Sequence, residues 1–334
     1  MTRAFRHFVS VGVALIAAGS CNAAVGDVRV VIGPAALIRT DPPDLKPTVD
    51  RVPYGSSVEI VEEKTSRKEH FAKVKLVGTT KSVGWIKVEG NLGHPKEFDA
   101  SMKPSDAVAF KGLKGLELTM AAIYNARGKY LKEQATILGI SSADLAAVLL
   151  VESHGQGFDE DGNTITRFEN HVFFRRWGEM HKGTFDEHFT FDPTTRYKGH
   201  TFRQGTTGEF AAFHNNNAKE LEVLAFARTL DDTAGLESAS YGAAQVMGFN
   251  FAKLGYADVQ TMVKDFATGI RPQLDGMIAF IKGTKLCMDG LNAKDYTKFA
   301  RGYNGKGKEA EYGEKIKSAA EAYAKVSNGL KFAD

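Results

Sequence analysis

Ser141-Ser142-Ala143-Asp144-Leu145-Ala146-Ala147-Val148-Leu149-Leu150-Val151-Glu152-Ser153-His154-Gly155 is the stretch on which the fold turns. Ser141 or Ser142 can cap a helix start, and Asp144 suits its first turn. Gly155 suits the left-handed position that closes a helix. The spacing predicts a helix over 143–153. Leu145, Val148 and Leu149 form one stripe, and Glu152 continues it at helical spacing. A carboxylate is thereby aimed along the face that should meet a core. Desolvation and the negative helix end both disfavour its charged form and raise its pKa. A carboxyl group so tuned can protonate a glycosidic oxygen. The plainer reading of this helix alone is a glutamate that emerges into solvent where the helix ends.

Around this stretch the chain changes period. From Val28 to about Leu92, short runs alternate: Val28, Val30, Ile32; then Val58, Ile60; then Phe71 to Val77; then Gly84 to Val88. Turn residues separate the runs, which is the pattern of a small β-barrel. His94-Pro95 to Lys103-Pro104 reads as a linker. From Leu116 the spacing becomes helical, with further helices expected at 217–229, 241–254, 258–265, 268–283, 293–303 and 309–326. The region 156–210, rich in Gly, Thr, Phe and His, reads as a hairpin with long loops.

The chain's 334 residues are 43% hydrophobic and 25% charged, which is globular composition rather than disorder. Arg3, Arg6 and His7 precede an apolar run from Phe8 to Ala18 and then small residues up to Ala24. That is the plan of a secretory signal peptide, and the run is too short for a permanent membrane span. An exported, periplasmic or secreted protein without stable membrane insertion is expected. The leader carries two of the basic residues and no acid, so the formal charge of +3 falls close to neutral without it. A nucleic-acid partner is therefore not expected. Cys21 lies in the leader, and Ala18 three residues before it does not favour lipid attachment. Cys287, left without a partner, reads as a small core residue.

Two resemblances follow from particular residues. Ala36-Leu37-Ile38-Arg39, Val52-Pro53-Tyr54-Gly55-Ser56-Ser57-Val58-Glu59-Ile60 and Gly84-Trp85-Ile86 resemble a bacterial SH3 domain. Such domains bind wall peptide or glycan or act as spacers; Trp85 is either a ligand platform or a core residue. The second resemblance starts at Glu152-Ser153-His154-Gly155-Gln156-Gly157-Phe158, which is similar to the catalytic-helix exit of the N-acetylmuramidase domain of phage endolysins and secreted bacterial muramidases. Three further motifs follow in that family's order. They are Arg167-Phe168-Glu169-Asn170-His171-Val172-Phe173-Phe174, then Glu237-Ser238-Ala239-Ser240-Tyr241-Gly242-Ala243-Ala244-Gln245-Val246-Met247-Gly248-Phe249-Asn250, then Phe299-Ala300-Arg301-Gly302-Tyr303-Asn304-Gly305.

Together these readings imply a multidomain chain: a signal peptide over 1–24, a small all-β SH3-like barrel over 25–93 and a linker over 94–114. A mainly α lysozyme-like domain with a short β-hairpin completes it over 115–334. The resemblance implies cleavage of the β-1,4 bond between N-acetylmuramic acid and N-acetylglucosamine in peptidoglycan, with Glu152 in the catalytic acid position. The glycan strands are then the partner, the chain is expected to act as a monomer, and no cofactor is expected.

Hydrolysis usually uses a second carboxylate. Asp161 and Glu169 both follow Glu152. Asp161-Gly162 is a strong turn dipeptide with a complete structural explanation, so Glu169 is favoured and Asp161 is the alternative. Tyr241, Gln245, Tyr303, Asn304 and His171 are the candidate substrate contacts. Gln245 offers a donor and an acceptor to acetamido or hydroxyl groups; the aromatics suit the core equally well. Six histidines lie between 154 and 214, but at irregular intervals and without a zincin motif, so no metal site is expected. The stretch 178–210 is expected to line the cleft as a loop. Asp159-Glu160-Asp161 suggests a preference for deacetylated, cationic glucosamine. Two rivals share these features: a lytic transglycosylase that leaves 1,6-anhydro ends, and a non-catalytic wall-binding protein.

Overall fold

The computed structural model describes residues 25–33, 36–40, 47–66, 68–80, 82–153, 155–214, 216–305 and 307–329. The expected leader, with Cys21, and His154 lie outside the described residues. The described chain forms two compact units: 25–166 with 236–329, and 167–235.

The first unit opens with β1 (Val28–Val31), β2 (Leu37–Arg39), β3 (Pro47–Arg51), β4 (Ser57–Ser66), β5 (Glu69–Leu76), β6 (Ser82–Lys87) and β7 (Leu92–Gly93). They make one antiparallel sheet in the order β3-β2-β6-β5-β4-β1-β7. Where a closed barrel was expected, β3 and β7 remain edges, so the sheet is a half-barrel. Period-two alternation does the sorting. Val58, Ile60, Ala72, Val74 and Ile86 are fully buried in one cluster. Their neighbours Phe71 and Trp85 form a second small cluster. Trp85 is only 1% exposed and is a core residue.

Residues 94–114, expected to be a linker, are packed over 94–102 and again at Leu113. Two single turns of 3-10 helix, Pro95–Glu97 and Ala100–Met102, are capped by His94 and Asp99. They bury Glu97, and they insert Met102 into the helical core.

That core is built around α1 (Gly115–Leu138) and α2 (Ser142–Ser153). Leu145, Ala146, Ala147, Val148 and Leu149 are all fully buried. A helix that is apolar on every side must be surrounded, and the neighbours of α2 include α1 and a long C-terminal helix, Glu309–Ser327. At its start, buried Asp144 accepts from Lys294 Nζ at 2.6 Å and Tyr296 Oη at 2.8 Å.

The second unit follows β8 (Thr166–Phe168) with α3 (Asn170–Phe173), a π-helical turn (Phe174–Gly178), α4 (Lys182–His188), β9 (Phe189–Thr190), β10 (Thr201–Phe202), β11 (Ala211–Ala212) and α5 (Asn217–Leu230). The stretch 178–210 is not the loop expected. Its phenylalanines build a core: Phe185 meets Phe189 at 5.2 Å between ring centroids, and Phe189 meets Phe173 at 5.3 Å and Phe202 at 5.4 Å. Asn170, wholly buried, donates from Nδ2 to the Thr190 and Thr201 carbonyls and so ties α3 to the small β9–β10–β11 sheet.

After α6 (Asp232–Glu237) the chain makes a hairpin, β12 (Ala239–Tyr241) and β13 (Val246–Met247), and then α7 (Val259–Phe266), α8 (Ile270–Lys282), α9 (Lys285–Ala293), α10 (Tyr296–Tyr303) and α11 (Glu309–Ser327). The helix expected over 241–254 is absent because Gly242 and Gln245 adopt φ of +71° and +47°, left-handed values that a right-handed helix excludes. The helix expected over 293–303 starts later, after a break at Lys294, whose φ is +54°. Cys287 is buried as expected, and burial pushes its thiol up to about 12. Among the described residues no single helix is long and apolar enough to cross a membrane.

Because α2 is buried on every side, Leu149→Ala should lower the unfolding free energy by about 3 kcal/mol in urea denaturation. A loss below about 1 kcal/mol would show that α2 is less enclosed than described.

Candidate active site

Glu152 sits in the last turn of α2, where the apolar run ends. Its Oε1 accepts a hydrogen bond from Asn304 Nδ2 at 2.9 Å. The side chain is partly accessible, yet burial dominates its titration and raises its pKa to about 7, against a smaller lowering by Asn304. No cation pairs with it among the described residues. Such a group is protonated for about half the time near neutral pH and can both give and retake a proton.

Asn304 caps the end of α10, with its backbone N–H on the Ala300 carbonyl. Tyr303, one residue earlier, stacks on Phe299 at 5.4 Å and meets Phe280 edge-on at 5.1 Å. Its hydroxyl donates to the Ala244 carbonyl at 2.9 Å. Burial, with the Glu152 charge nearby, raises the Tyr303 pKa well above that of free tyrosine. Tyr303 is thus a neutral wall beside the acid.

The loop that leaves α2 is held from below. Buried Glu97 accepts from the Gly157 and Phe158 N–H groups through Oε1, at 2.5 and 2.6 Å. Its Oε2 meets Arg127 Nη2 at 3.2 Å, and Arg127 Nη1 donates to the Gly155 carbonyl at 2.5 Å. Burial raises the Glu97 pKa, while Arg127 and the two N–H groups pull it down. A second buried side chain, Gln273, accepts from Ala243 N–H at 2.8 Å and donates to the Phe266 carbonyl at 2.9 Å. It also backs both motif glycines. A Cβ on Gly157 would lie 2.0 Å from Gln273 Oε1, and one on Gly242 would lie 2.3 Å from it. Glu97, Arg127 and Gln273 were not among the expected site residues. Glu97 lies in what read as a linker, and no spacing in the sequence links it to the Gly155 loop.

The other expected residues have distinct positions. Tyr241 is 1% exposed and its hydroxyl donates to the Leu236 carbonyl at 2.9 Å, which places it in the core. Gln245 braces the β12–β13 turn: Oε1 accepts from Ser240 Oγ at 2.9 Å, and Nε2 donates to the Gly242 and Ile165 carbonyls at 2.9 and 3.3 Å. Both its amide hydrogens are engaged. Asp161 is exposed at a turn in which Asp159 Oδ1 accepts from the Asp161 and Asn163 N–H groups.

In the second unit, Glu169 precedes α3. Its Oε1 accepts from Arg167 Nε at 2.8 Å, and its Oε2 faces His171 Nδ1 at 3.4 Å and His200 Nδ1 at 3.5 Å. Burial would raise this carboxyl, but His171, Arg167 and His200 outweigh it and hold the pKa at about 2. Glu169 is therefore permanently ionised near neutrality. His171 is part of that cluster.

The profile of the N-acetylmuramidase family matches residues 141–324, more than half of the chain. The chain belongs to this family. Membership makes this muramidase a glycoside hydrolase that acts on peptidoglycan. It is also similar to a solved structure, the endolysin of Burkholderia phage AP3. That match has 29% identity and a TM-score of 0.47, over 59% of this chain and 70% of the endolysin. No curated protein matches the chain.

Two outcomes follow from the burial of this muramidase's carboxylates. Arg127→Met leaves Glu97 buried without its counter-charge and should cost about 3–5 kcal/mol in urea denaturation; a near-neutral result would show that the pair does not hold the loop. For Glu152, the folded pKa of about 7 lies above the ordinary 4.5, so the folded chain keeps a proton that the unfolded chain releases. Stability from this group therefore falls as pH rises from about 4.5 and levels off above about 7. Glu152→Gln should match the native chain at pH 4 and exceed it at pH 8. Equal stability at both values would contradict the raised pKa.

Proposed function

We propose that this muramidase is exported and cleaves the β-1,4 bond between N-acetylmuramic acid and glucosamine units, with Glu152 as the general acid. The observation that carries this is a carboxyl at the end of a buried helix, raised to about 7 by burial and aided only by the neutral Asn304 amide. Glu152 protonates the bridging oxygen, and Asn304 holds one of its oxygens while the other faces the bond to be broken. Tyr303 keeps water from that side of the carboxyl.

Glu169 is the proposed partner carboxylate. Arg167, His171 and His200 keep it charged, so the two groups titrate far apart, as an acid and an anionic partner must. Asp161 is the weaker candidate, since the hairpin turn accounts for it. The acidic run Asp159-Glu160-Asp161, with Asp161 exposed, supports a preference for glycan whose glucosamine amines are free and positively charged. The N-terminal sheet is proposed to be a bacterial SH3-like domain that keeps the enzyme on the wall.

Mass spectrometry of digests of native and chemically deacetylated sacculi tests these readings together. Reducing-end muropeptides are expected, released faster from deacetylated sacculi. Glu152→Gln should lose at least about a thousandfold in rate. Products with 1,6-anhydro ends would instead make the enzyme a lytic transglycosylase. Release that Glu152→Gln leaves unchanged would remove Glu152 from the chemistry. Equal rates on both sacculi would end the deacetylation proposal.

A further inference from the structure

Within the second unit, three side chains converge in a way that hydrogen bonding does not explain. Glu169, His171 and His200 each offer one ligand atom, and these atoms lie within 4.8 Å of one another. The His200 ring is fully shielded from solvent. Its Nε2 lies 2.8 Å from the Arg196 carbonyl. A carbonyl can only accept, so Nε2 carries the hydrogen, and Nδ1 of the neutral ring presents a bare lone pair. That lone pair faces Glu169 Oε2 at 3.5 Å. His171 Nδ1 faces the same oxygen at 3.4 Å. Glu169 Oε2, His171 Nδ1 and His200 Nδ1 are all buried, and none has a hydrogen-bond partner. Glu169 Oε2 and the bare His200 Nδ1 are two electron-rich atoms directed at one interior point, which repel each other unless a cation lies between them, and His171 Nδ1 converges on the same point as a third donor atom.

We propose that Glu169 Oε2, His171 Nδ1 and His200 Nδ1 form a binding site for a divalent first-row transition metal, with zinc as the best match. Imidazole and carboxylate are a ligand set that zinc accepts, at about 2.0–2.2 Å. Ligands at that radius in tetrahedral geometry are separated by about 3.3 Å, which agrees with the 3.4 and 3.5 Å edges here. A direct N–H···O bond would instead draw the atoms to about 2.9 Å. The surrounding shell is already in place. The Arg196 carbonyl fixes the His200 tautomer, and Arg167 holds the other Glu169 oxygen at 2.8 Å, as outer partners of metal ligands do. Three protein ligands leave a fourth position for water. The ion ties the start of α3 to the approach of β10, the same pieces that Asn170 already joins. The site thus staples the second unit. The proposal goes beyond the muramidase reading and does not rest on it.

The test needs no substrate. The full chain is stripped with a chelator and titrated with Co²⁺ and then with Zn²⁺. One equivalent of Co²⁺ should give the intense visible bands of a four-coordinate ion, and one equivalent of Zn²⁺ should erase them and raise the melting temperature. His171→Gln and His200→Gln should each weaken Zn²⁺ binding at least about tenfold. Absence of the Co²⁺ bands from the native chain, or bands of equal strength and affinity in both variants, would overturn the site. Should the variants fail to fold, the native stoichiometry and spectrum still decide, because fewer than two imidazoles in the metal's X-ray absorption spectrum would refute the assignment.

Discussion

The absence of a polar face on α2 constrains the rest of the first unit. Every side chain from Leu145 to Leu149 is excluded from water, so neighbours have to enclose the helix along its whole length. Its first polar opportunity after Asp144 comes at Glu152. The enclosure that stabilises the helix also strips water from that carboxyl, and the same burial gives the protein its core and its acid. Burial of each Leu or Val contributes about 1.5–3 kcal/mol, whereas keeping Glu152 in the same environment costs stability once it ionises. The helix offsets the cost of burying its own terminal carboxyl.

The carboxyl proposed as the general acid also needs a fixed direction, and here the chain uses residues far from α2 in sequence. Glu97 and Arg127 seize the backbone that leaves the helix, at Gly155, Gly157 and Phe158. Gln273 closes the other side of Gly157 so tightly that a methyl group there has no room. These are buried polar groups with strong partners, the class in which removing one partner costs more than the pair contributes. Their role is geometric: they set where the helix stops, and hence where Glu152 points.

The legible part of the sequence was periodic. The strands over 28–92 and the helices near 143–153, 217–229, 258–265, 268–283 and 309–326 announced themselves by spacing, and Glu152 by its place on a stripe. Two things were hidden. The first was local backbone conformation: 241–254 carries helical spacing, but Gly242 and Gln245 take left-handed angles, and a non-glycine residue in that region gives no sign in a single sequence. Gln245 also shows why polar residue type alone misleads. Its amide is suited to sugar hydroxyls, yet here it donates to the Gly242 carbonyl of its own turn and to the distant Ile165 carbonyl. The second hidden feature was long-range pairing. Glu97 and Arg127 carry no sequence signal that links them until the fold buries them together, and the phenylalanines of 178–210 read as a loop until they meet.

The carboxylates Glu152 and Glu169 show how one chain sets two pKa values for the same chemical group. Both are largely removed from water, and for both the largest single effect is desolvation, which favours the neutral acid. They diverge because of what else is near. Glu152 meets a neutral amide and a tyrosine hydroxyl that points elsewhere, so desolvation prevails and the proton stays. Glu169 meets two imidazoles and a guanidinium, which together outweigh desolvation, and the proton leaves. A cation held between Glu169 and its histidines would extend that logic, since an ion stabilises an unprotonated carboxylate more strongly than neutral rings do. Two glutamates that look alike in sequence are therefore set apart by the polar and charged groups within reach of each.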